Sequence, residues 1–477
     1  MNRADKMLYA SCMDIAQRKL LIPPVPPRPA GELSFLQFLR AVRTNVLTMW
    51  TDAAYQEQVL SHRFLGRTHM LINAPDAIHH ILVDNPANYR RSPASIRILR
   101  PITGYGLLLS EGEEWRRQRR IIGPALAPRS LPVLARHIVT CAQEALVAFA
   151  GRADQTVDLL AAMQNLALDI AGRSMFSLEV RQYCATMRQM LNEYGLTYAR
   201  PHLWDMVLPP SVPTYRDLGR RRFQRRWMAL MTEIMQARLA APVTATPRDL
   251  FDLLYAARDP ETGKGFAPEQ LRDQIATMIL AGHETTAVTL FWSLFLLASA
   301  PDEQQRVADE AREVTITPDN AMEAVPRLIR TRAVISEALR LYPPAFTLVR
   351  EAIGADRAGD VDIPRHAVLM IAPWVLHRHQ RLWRDPDAFD PDRFMPPPGS
   401  SPGASLPQPP RFAYLPFGAG PRVCVGAQFA MTEATLVLAM LMRDLKISLA
   451  DPEPVRPVAV VTTQPNHRPL FRCRSRR

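Results

Sequence analysis

The chain has 477 residues, of which 47% are hydrophobic, so it can build a deep globular core. Its formal charge is +12 at neutral pH, but the arginines are spread along the whole sequence and form no basic block with interleaved aromatics, so nucleic-acid binding is not expected. The five cysteines are scattered and include no C-x-x-C pair, which argues against a disulfide framework and a zinc finger and fits a reducing compartment.

The N-terminal segment shows no signal-peptide pattern and carries a proline cluster from Pro23 to Pro29. We therefore predict a tail and proline-rich linker over residues 1–30 and one folded unit over 31–477. The most apolar stretch, residues 289–300, is much shorter than the roughly 20 residues that a bilayer requires. The sequence predicts no transmembrane anchor and a cytoplasmic protein.

From Leu33 to about residue 340, apolar residues recur at spacings of three and four, which predicts helices. The longest candidate spans 268–300, with Pro268 at its start and Glu269 in its first turn. Short strands are expected at 64–72, 348–353 and 368–371. A proline-rich loop at 395–410, whose role the sequence leaves open, precedes an apolar helix at 426–445. The predicted fold class is mainly α with small β-sheets.

Residues 417–426 read FGAGPRVCVG and place a lone cysteine, Cys424, on a glycine-rich turn that leads into a helix. Gly418 lets the backbone pass close to a flat group. The amides and the positive dipole end of the following helix face the sulfur and stabilise a thiolate, the form that binds iron. A buried structural cysteine is the ordinary alternative, but the spacing F-x-x-G-x-R-x-C-x-G argues against it.

This segment resembles the signature of the cytochrome P450 monooxygenases, and three further motifs agree with that family in the right order. The resemblance runs from about residue 31 to the C-terminus and implies that 31–477 is a cytochrome P450 haem domain. It implies haem b, held between the long central helix and the cysteine loop with its last helix. Cys424 would be the axial iron ligand, and Phe417 and Gly418 would contact the cofactor.

The long helix contains the segment Ala281-Gly-His-Glu-Thr-Thr286. The resemblance implies that Ala281 lies against the cofactor and that Glu284 and Thr285 form a proton relay, with Glu284 drawing protons from solvent and Thr285 setting where they arrive. The alternative is a glutamate on a solvated face and threonines bonded to the carbonyl four residues earlier. His283 is interpreted as a packing position.

Glu337 and Arg340 stand three residues apart on one helix face. In the family such a pair is buried and joined by an arginine from a later loop, here Arg393. These three residues are assigned to folding and haem retention.

By resemblance, haem propionates would be met by Trp115, Arg119, Arg350 and Arg422, through an indole N–H and three guanidinium groups. The neighbouring Arg116, Arg117 and Arg120 are expected on a basic surface that could receive an acidic electron carrier.

Substrate is expected above the haem, opposite the cysteine. The candidate contacts are mainly apolar, which suits a lipid, terpenoid, steroid or aromatic substrate. Ordinary core packing is the alternative for each of them. The candidates are Leu108, Ala345, Phe346, Thr347 and Thr463.

The resemblance implies a monooxygenase that consumes O2 and takes electrons from a separate donor, a ferredoxin or flavodoxin with its reductase, because the sequence holds no dinucleotide fingerprint of its own. Two alternatives stay open: a peroxide-driven peroxygenase or isomerase, and a non-enzymatic haem-based sensor. Substrate identity, regioselectivity and oligomeric state are not determined by the sequence.

Overall fold

Helices form most of the structure. A computed structural model describes residues 20–476 except 65, 152–154, 178–180, 201, 203, 206–207, 209–210, 241–243, 245, 398–408 and 460, and the side chains of residues 181 and 182. Residues 1–19 of the predicted tail and most of the 395–410 loop lie outside the described residues. The helices are α1 Phe35–Thr44, α2 Pro75–His79, α3 Pro93–Thr103, α4 Gly112–Ile122, α5 Leu131–Ala150, α6 Leu159–Phe176, α7 Arg181–Thr197, α8 Tyr215–Ala240, α9 Leu250–Ala256, α10 Pro268–Ser299, α11 Pro301–Arg312, α12 Ala321–Ala324, α13 Ile329–Leu341, α14 Pro373–Leu376 and α15 Ala427–Asp444.

In the part of the chain that the structure describes, four small sheets accompany the helices. The largest has the order β1-β2-β8-β5-β3, and the others are β4-β12-β9, β10-β11 and β6-β7. The pairing of β2 with β8 is parallel, and the other pairings are antiparallel. The strands are β1 Val59–Phe64, β2 Arg67–Ile72, β3 Tyr89–Arg91, β4 Thr156–Asp158, β5 Leu348–Ala352, β6 Asp356–Ala358, β7 Val361–Ile363, β8 Val368–Ile371, β9 Leu445–Leu449, β10 Pro457–Ala459, β11 Thr463–Pro465 and β12 Leu470–Ser475.

The long helix α10 runs through the centre of the molecule. Pro268 occupies its first turn, where a missing N–H costs nothing, and the Gln270 side chain accepts a hydrogen bond from the Ala267 amide. Its C-terminal half is almost fully buried and packs most extensively against α6, and also against α13 and α15. The helix predicted at 268–300 is therefore confirmed, and Pro301 begins α11 directly after it.

The last helix, α15, is buried from Thr432 to Met442 and confirms the helix predicted at 426–445. The strand predictions at 348–353 and 368–371 are confirmed by β5 and β8. The strand predicted at 64–72 is confirmed by β2 over 67–72, but its first residue belongs to β1. The chain turns at Gly66, whose φ is +78°, and the two strands pair as an antiparallel hairpin. A run of β-forming residues does not by itself reveal a turn inside it.

The described part of the predicted linker packs against the rest of the chain. Leu21 forms an isolated bridge with Phe389, and the Tyr342 hydroxyl donates to the Pro24 carbonyl at 2.9 Å. Arg28 makes a two-pronged contact with Asp387, at 3.0 and 2.9 Å. These contacts fix residues 21–28 on the folded unit.

Among the described residues, two helical stretches are long and apolar enough to cross a bilayer by length and composition alone, Pro128–Ala150 and Pro268–Ser299. The apolar window of the second is 72% buried in the protein, as in the core helix of a globular domain. This test alone is weak evidence for a membrane span.

Candidate functional site

The cysteine loop is shaped by two glycines with positive φ, Gly418 at +73° and Gly420 at +70°. A Cβ atom on Gly420 would lie 1.9 Å from the Leu82 carbonyl oxygen, so only glycine lets the loop pack this closely. The Cys424 amide donates to the Phe417 carbonyl at 2.9 Å and closes the loop just before α15 begins. The loop is thus held at both of its ends.

Cys424 differs from the other cysteines that the structure describes. Cys141, Cys184 and Cys473 are buried, whereas the Cys424 thiol is exposed. Solvent reaches this thiol, but protein surrounds it on most sides, so desolvation raises its pKa, while the Gly426 amide and Arg119 act in the opposite direction. The sequence therefore predicted the helix-end contribution but not the larger effect of burial.

A cluster of cations lies beside this loop, between β3, β5 and the cysteine loop. Arg91 and Arg350 are direct partners across the antiparallel pair β3–β5, where like charges repel. Burial and then the neighbouring arginines lower the pKa of Arg91 to about 9 and that of Arg350 to about 10. Arg422 is ion-paired with Glu111, the carboxylate that the described residues offer to this cluster.

The guanidinium groups of this cluster have few internal partners. Among the described residues, Arg91 Nε is buried without a hydrogen-bond partner and lies 4.0 Å from Glu111 Oε1, and Arg350 donates to the carbonyl of its neighbour Val349 at 3.0 Å. Arg91 was missing from the residues predicted from the sequence. No local pattern marks it, because its position opposite Arg350 depends on the pairing of two strands that are distant in the chain.

Two residues of α4 complete the surroundings of the loop. The Arg119 guanidinium donates to the Val423 carbonyl at 2.9 Å and ties α4 to the cysteine loop. The Arg422 guanidinium lies 4.4 Å above the centre of the Trp115 ring and donates to the Ser110 carbonyl at 3.1 Å. The predicted residues Trp115, Arg119 and Arg422 are therefore brought together next to Cys424.

The residues present fit the haem group that the sequence resemblance implies. They supply an accessible thiol, a loop of glycines that leaves room for a flat group, and buried guanidinium groups in excess over carboxylates. A bound cation deprotonates a coordinating thiol outright, which would offset the burial effect on Cys424. Two propionates would supply anions for Arg350 and for Arg91, whose Nε lies 4.0 Å from a Glu111 carboxylate that also pairs with Arg422.

The three positively charged neighbours on α4 do not form a free basic surface. Arg116 pairs with Glu113 at 3.1 Å, and Arg117 donates to the Gly265 carbonyl at 2.7 Å. Arg120 pairs with Asp259 and Glu261, both at 2.9 Å. The basic surface predicted at these three arginines is therefore weaker than expected, because acidic partners from the same helix and from the segment before α10 neutralise most of their charge.

The central segment of α10 divides between two environments. Ala281 is exposed and Thr285 half-buried on one face, where the Thr285 hydroxyl donates to the Ala281 carbonyl at 2.6 Å. His283 is buried, and its Nε2 has no partner. Glu284 is hydrogen-bonded to Gln164, Thr462 and Gln464. The threonine back-bond is thus present, but Glu284 does not lie on a freely solvated face.

The predicted ion-pair residues meet in one cluster, in which Glu337 and Arg340 are fully buried and Arg393 is half-buried. Both oxygens of Glu337 accept hydrogen bonds from Arg340, at 2.6 and 2.7 Å, and Arg393 lies 3.5 Å from Glu337. Arg340 also donates to the carbonyls of His377 and Ala388, both at 2.8 Å. Each charge in this cluster has internal partners.

The predicted substrate contacts separate into those that reach open space and those that do not. Ala345 is exposed, Leu108 and Thr347 are half-buried, and Thr347 Oγ1 has no partner. Phe346 is 6% exposed and belongs to the main hydrophobic core, as the core-packing alternative predicts. Thr463 is corrected, because its side chain is fully buried and donates to the Pro343 carbonyl at 2.7 Å.

Comparisons with known proteins agree with this geometry. The family model described as cytochrome P450 matches residues 23–471. A relative named cytochrome P450 97B2, chloroplastic, from Glycine max is 30% identical to this chain. The alignment covers 84% of this chain and 77% of the relative. Another, named cyclooctat-9-en-7-ol 5-monooxygenase, from Streptomyces melanosporofaciens, is also 30% identical and covers 77% of each chain.

Among solved structures, the cytochrome P450DA heme domain is similar in fold. Its TM-score is 0.77 and its identity is 23%, over 96% of this chain and 99% of that chain. The predicted fold class, mainly α with small sheets, is confirmed. With the family model matched over nearly its whole length, the chain belongs to the cytochrome P450 family of haem-iron monooxygenases.

Proposed function

We propose that this P450 monooxygenase holds haem b through Cys424 and inserts one atom of O2 into an apolar organic substrate. The observation that carries the proposal is the single exposed thiol among the described cysteines, placed on a closed glycine loop beside a cluster of arginines in excess over carboxylates. Bound there, the haem iron would supply the oxygen activation.

The remaining residues of the site hold and orient the cofactor. Arg91, Arg350 and Arg119 would donate to the propionates, with Trp115 offering its indole N–H. Arg422 would contribute charge while staying paired with Glu111. Phe417 and Gly418 would lie along the cofactor near the sulfur, and Ala281 would face it from α10, where a small residue leaves room. Glu337, Arg340 and Arg393 would keep the loops behind the cofactor in place.

Protons would reach the site along α10. The Thr285 hydroxyl is held by the Ala281 carbonyl and keeps its oxygen lone pairs free to accept a hydrogen bond. Glu284 precedes it by one residue and is the nearest acid in the chain. Glu284 would pass protons inward and Thr285 would set where they arrive, in the role of general acid groups.

The substrate would lie among Leu108, Ala345 and Thr347, whereas Phe346 packs in the hydrophobic core. These residues offer mostly apolar surface, so a lipid, terpenoid, steroid or aromatic compound fits best. The relative named as a monooxygenase of cyclooctat-9-en-7-ol, an unsaturated alcohol, acts on a compound of that kind.

Electrons would come from a separate ferredoxin or flavodoxin with its reductase, in the cytoplasm. The sequence has no G-x-G-x-x-G fingerprint for a dinucleotide. No transmembrane anchor is proposed, since the long apolar helix α10 serves as the core of the fold.

The test is the absorption spectrum of the reduced protein with carbon monoxide, for the wild type and for Cys424→Ser. We expect a strongly red-shifted Soret band in the wild type and its loss in the variant. An unchanged band in Cys424→Ser, or a wild-type adduct like that of an imidazole-ligated haem, contradicts the assignment of Cys424. Lauric acid, testosterone and geraniol are then titrated for a spin-state shift that separates the substrate classes.

A further inference from the structure

Three side chains from distant parts of the chain converge on the Glu284 carboxylate. Its Oε1 accepts a hydrogen bond from the side-chain amide of Gln464 and another from the Thr462 hydroxyl at 3.3 Å. Its Oε2 accepts one from the side-chain amide of Gln164 at 3.3 Å. Gln164 lies on α6, and the other two belong to the β10–β11 hairpin, so Glu284 connects α6 to this hairpin.

The hairpin is anchored on the same helix that carries Glu284. The Trp292 indole N–H of α10 donates to the Thr463 carbonyl at 2.7 Å, between the two hairpin residues that contact Glu284. Trp292 is fully buried and stacks on Tyr342 with ring centres 3.9 Å apart. Because the neighbour of Gln464 is fixed in the core, Gln464 itself has little freedom to move away from Glu284.

The other side of Glu284 is equally constrained. Gln164 is 9% exposed, and its backbone forms a hydrogen bond with the His283 ring, so one residue of α6 contacts two successive residues of α10. The strand β10 is held by Asn45, whose side chain donates to the Pro457 carbonyl and accepts from the Ala459 amide, both at 3.0 Å. Both elements that contact Glu284 are therefore anchored independently of it.

We propose that Gln464, with Thr462 and Gln164, positions Glu284 for proton delivery, so that delivery depends on the seating of the C-terminal hairpin. The inference rests on the proposed function, because it takes Glu284 as the acid of the relay. Within the described residues, the Gln464 side chain donates to Glu284 and to Thr462, so its effect on the site passes through Glu284. All three partners can donate, which suits a carboxylate that accepts at both oxygens.

Loss of the Gln464 amide would free the Glu284 side chain to adopt other rotamers. A glutamate has three side-chain torsions, and fixing it costs conformational entropy that the hydrogen bonds offset. A hydrogen bond to a charged group is among the stronger ones in proteins. The fraction of molecules with Glu284 in the delivering orientation should fall accordingly.

The test compares Gln464→Met, which keeps the length but removes the donor, with Gln464→Lys, which restores a donor. Glu284→Gln and the double variant of Glu284→Gln with Gln464→Met complete the set. The matched control is Gln236→Met, at an exposed position on α8. In the haem-loaded enzyme, NADPH-driven reduction of O2 to H2O2 with a plant-type ferredoxin and its reductase consumes two electrons and two protons per O2. Its rate is measured in H2O and in D2O.

We expect Gln464→Met to lower this rate about tenfold, the factor that corresponds to about 1.4 kcal/mol, and to raise the solvent isotope effect. Gln464→Lys should restore the rate and the isotope effect of the wild type. In the Glu284→Gln background, Gln464→Met should change neither quantity further. A second readout needs no turnover. In a double-mutant cycle of urea unfolding, Gln464→Met should lower stability in the wild type and much less in the Glu284→Gln background.

The outcomes separate the two hypotheses. If Glu284→Gln raises the isotope effect but Gln464→Met behaves like Gln236→Met, the positioning role is overturned and the relay stands. If Glu284→Gln leaves rate and isotope effect unchanged, the relay fails, and the role of Gln464 in proton delivery fails with it. If the unfolding cycle shows no coupling between positions 284 and 464, the hydrogen bond does not operate in solution and the proposal is overturned on that ground alone.

Discussion

Two buried groups of charges lie near the cysteine loop and differ in how they are balanced. In the ion-pair cluster of Glu337, Arg340 and Arg393, the two arginines face two carboxylates, Glu337 and Asp390, and Arg340 also donates to backbone carbonyls. In the cation cluster of Arg91, Arg350 and Arg422, positive groups outnumber the carboxylates that face them. The first is complete as it stands, and the second needs an anion.

This difference indicates which buried charges serve folding and which serve a ligand. Buried charges are tolerated when they are paired and hydrogen-bonded, and an uncompensated one is costly. An acidic group bound at the two facing arginines on β3 and β5 would offset that cost. In the ion-pair cluster, partners within the protein offset the cost of burying charge. Removing one of these charges should therefore destabilise the folded protein even without a ligand.

The largest expected effect comes from breaking the balanced cluster. Glu337→Gln keeps the shape but leaves Arg340, which is fully buried, without its counter-charge. Removing one partner of a buried ion pair typically costs about 3–5 kcal/mol. We expect a loss of this size in the free energy of urea-induced unfolding, followed by tryptophan fluorescence.

Glu113→Gln is the matched control, since Glu113 forms an exposed ion pair with Arg116 at the same three-residue spacing. Exposed pairs contribute little, so this variant should unfold like the wild type. Equal effects of the two substitutions would show that the buried cluster has no special structural role.

A smaller effect is expected in the cation cluster, where removing an arginine should not destabilise the haem-free protein but should weaken haem binding. Arg91→Met removes one of two facing cations, so the haem-free protein should be at least as stable as the wild type. The haem-loaded protein should lose a charge-assisted hydrogen bond of about 1.5–3 kcal/mol, seen as faster haem transfer to apomyoglobin. Arg350→Met should behave alike. Strong destabilisation of the haem-free protein by either variant would place these arginines with the balanced cluster.

The sequence revealed those parts of the site that depend on local spacing. Gly418, Gly420 and Cys424 lie within one turn, and α10 begins and ends beside prolines, so these features could be predicted. Arg91 could not, because only the register of β3 on β5 brings it opposite Arg350.

The same limit explains the error at Thr463 and the missing partners of Glu284. Thr463 lies in the expected stretch of chain, but the Pro343 carbonyl and Trp292 determine which way its side chain and carbonyl point. Gln464, one residue later, faces Glu284 for that reason. Side-chain direction in a short hairpin depends on its tertiary anchors, and the sequence pattern carries no signal for them.

The smallest expected effect tests whether the balanced cluster tolerates a further positive charge. His377 is fully buried, and its Nε2 accepts the Leu415 amide at 2.8 Å, so the ring is neutral. Burial, then Arg340 and Arg378, lower the pKa of His377 to about 3. Since the unfolded chain has the ordinary value near 6.5, it binds more protons between these values, and stability is lost as the pH falls through this window.

For this one residue the loss between pH 7 and pH 5.5 is about 1 kcal/mol. His377→Gln can accept the same amide with its side-chain oxygen but does not titrate, so its unfolding free energy should depend less on pH by that amount. The comparison of slopes between the two proteins cancels the contributions of other buried histidines. Equal slopes would mean that the cluster accommodates the imidazolium, and its charges would then be less completely balanced than the hydrogen bonds around Arg340 indicate.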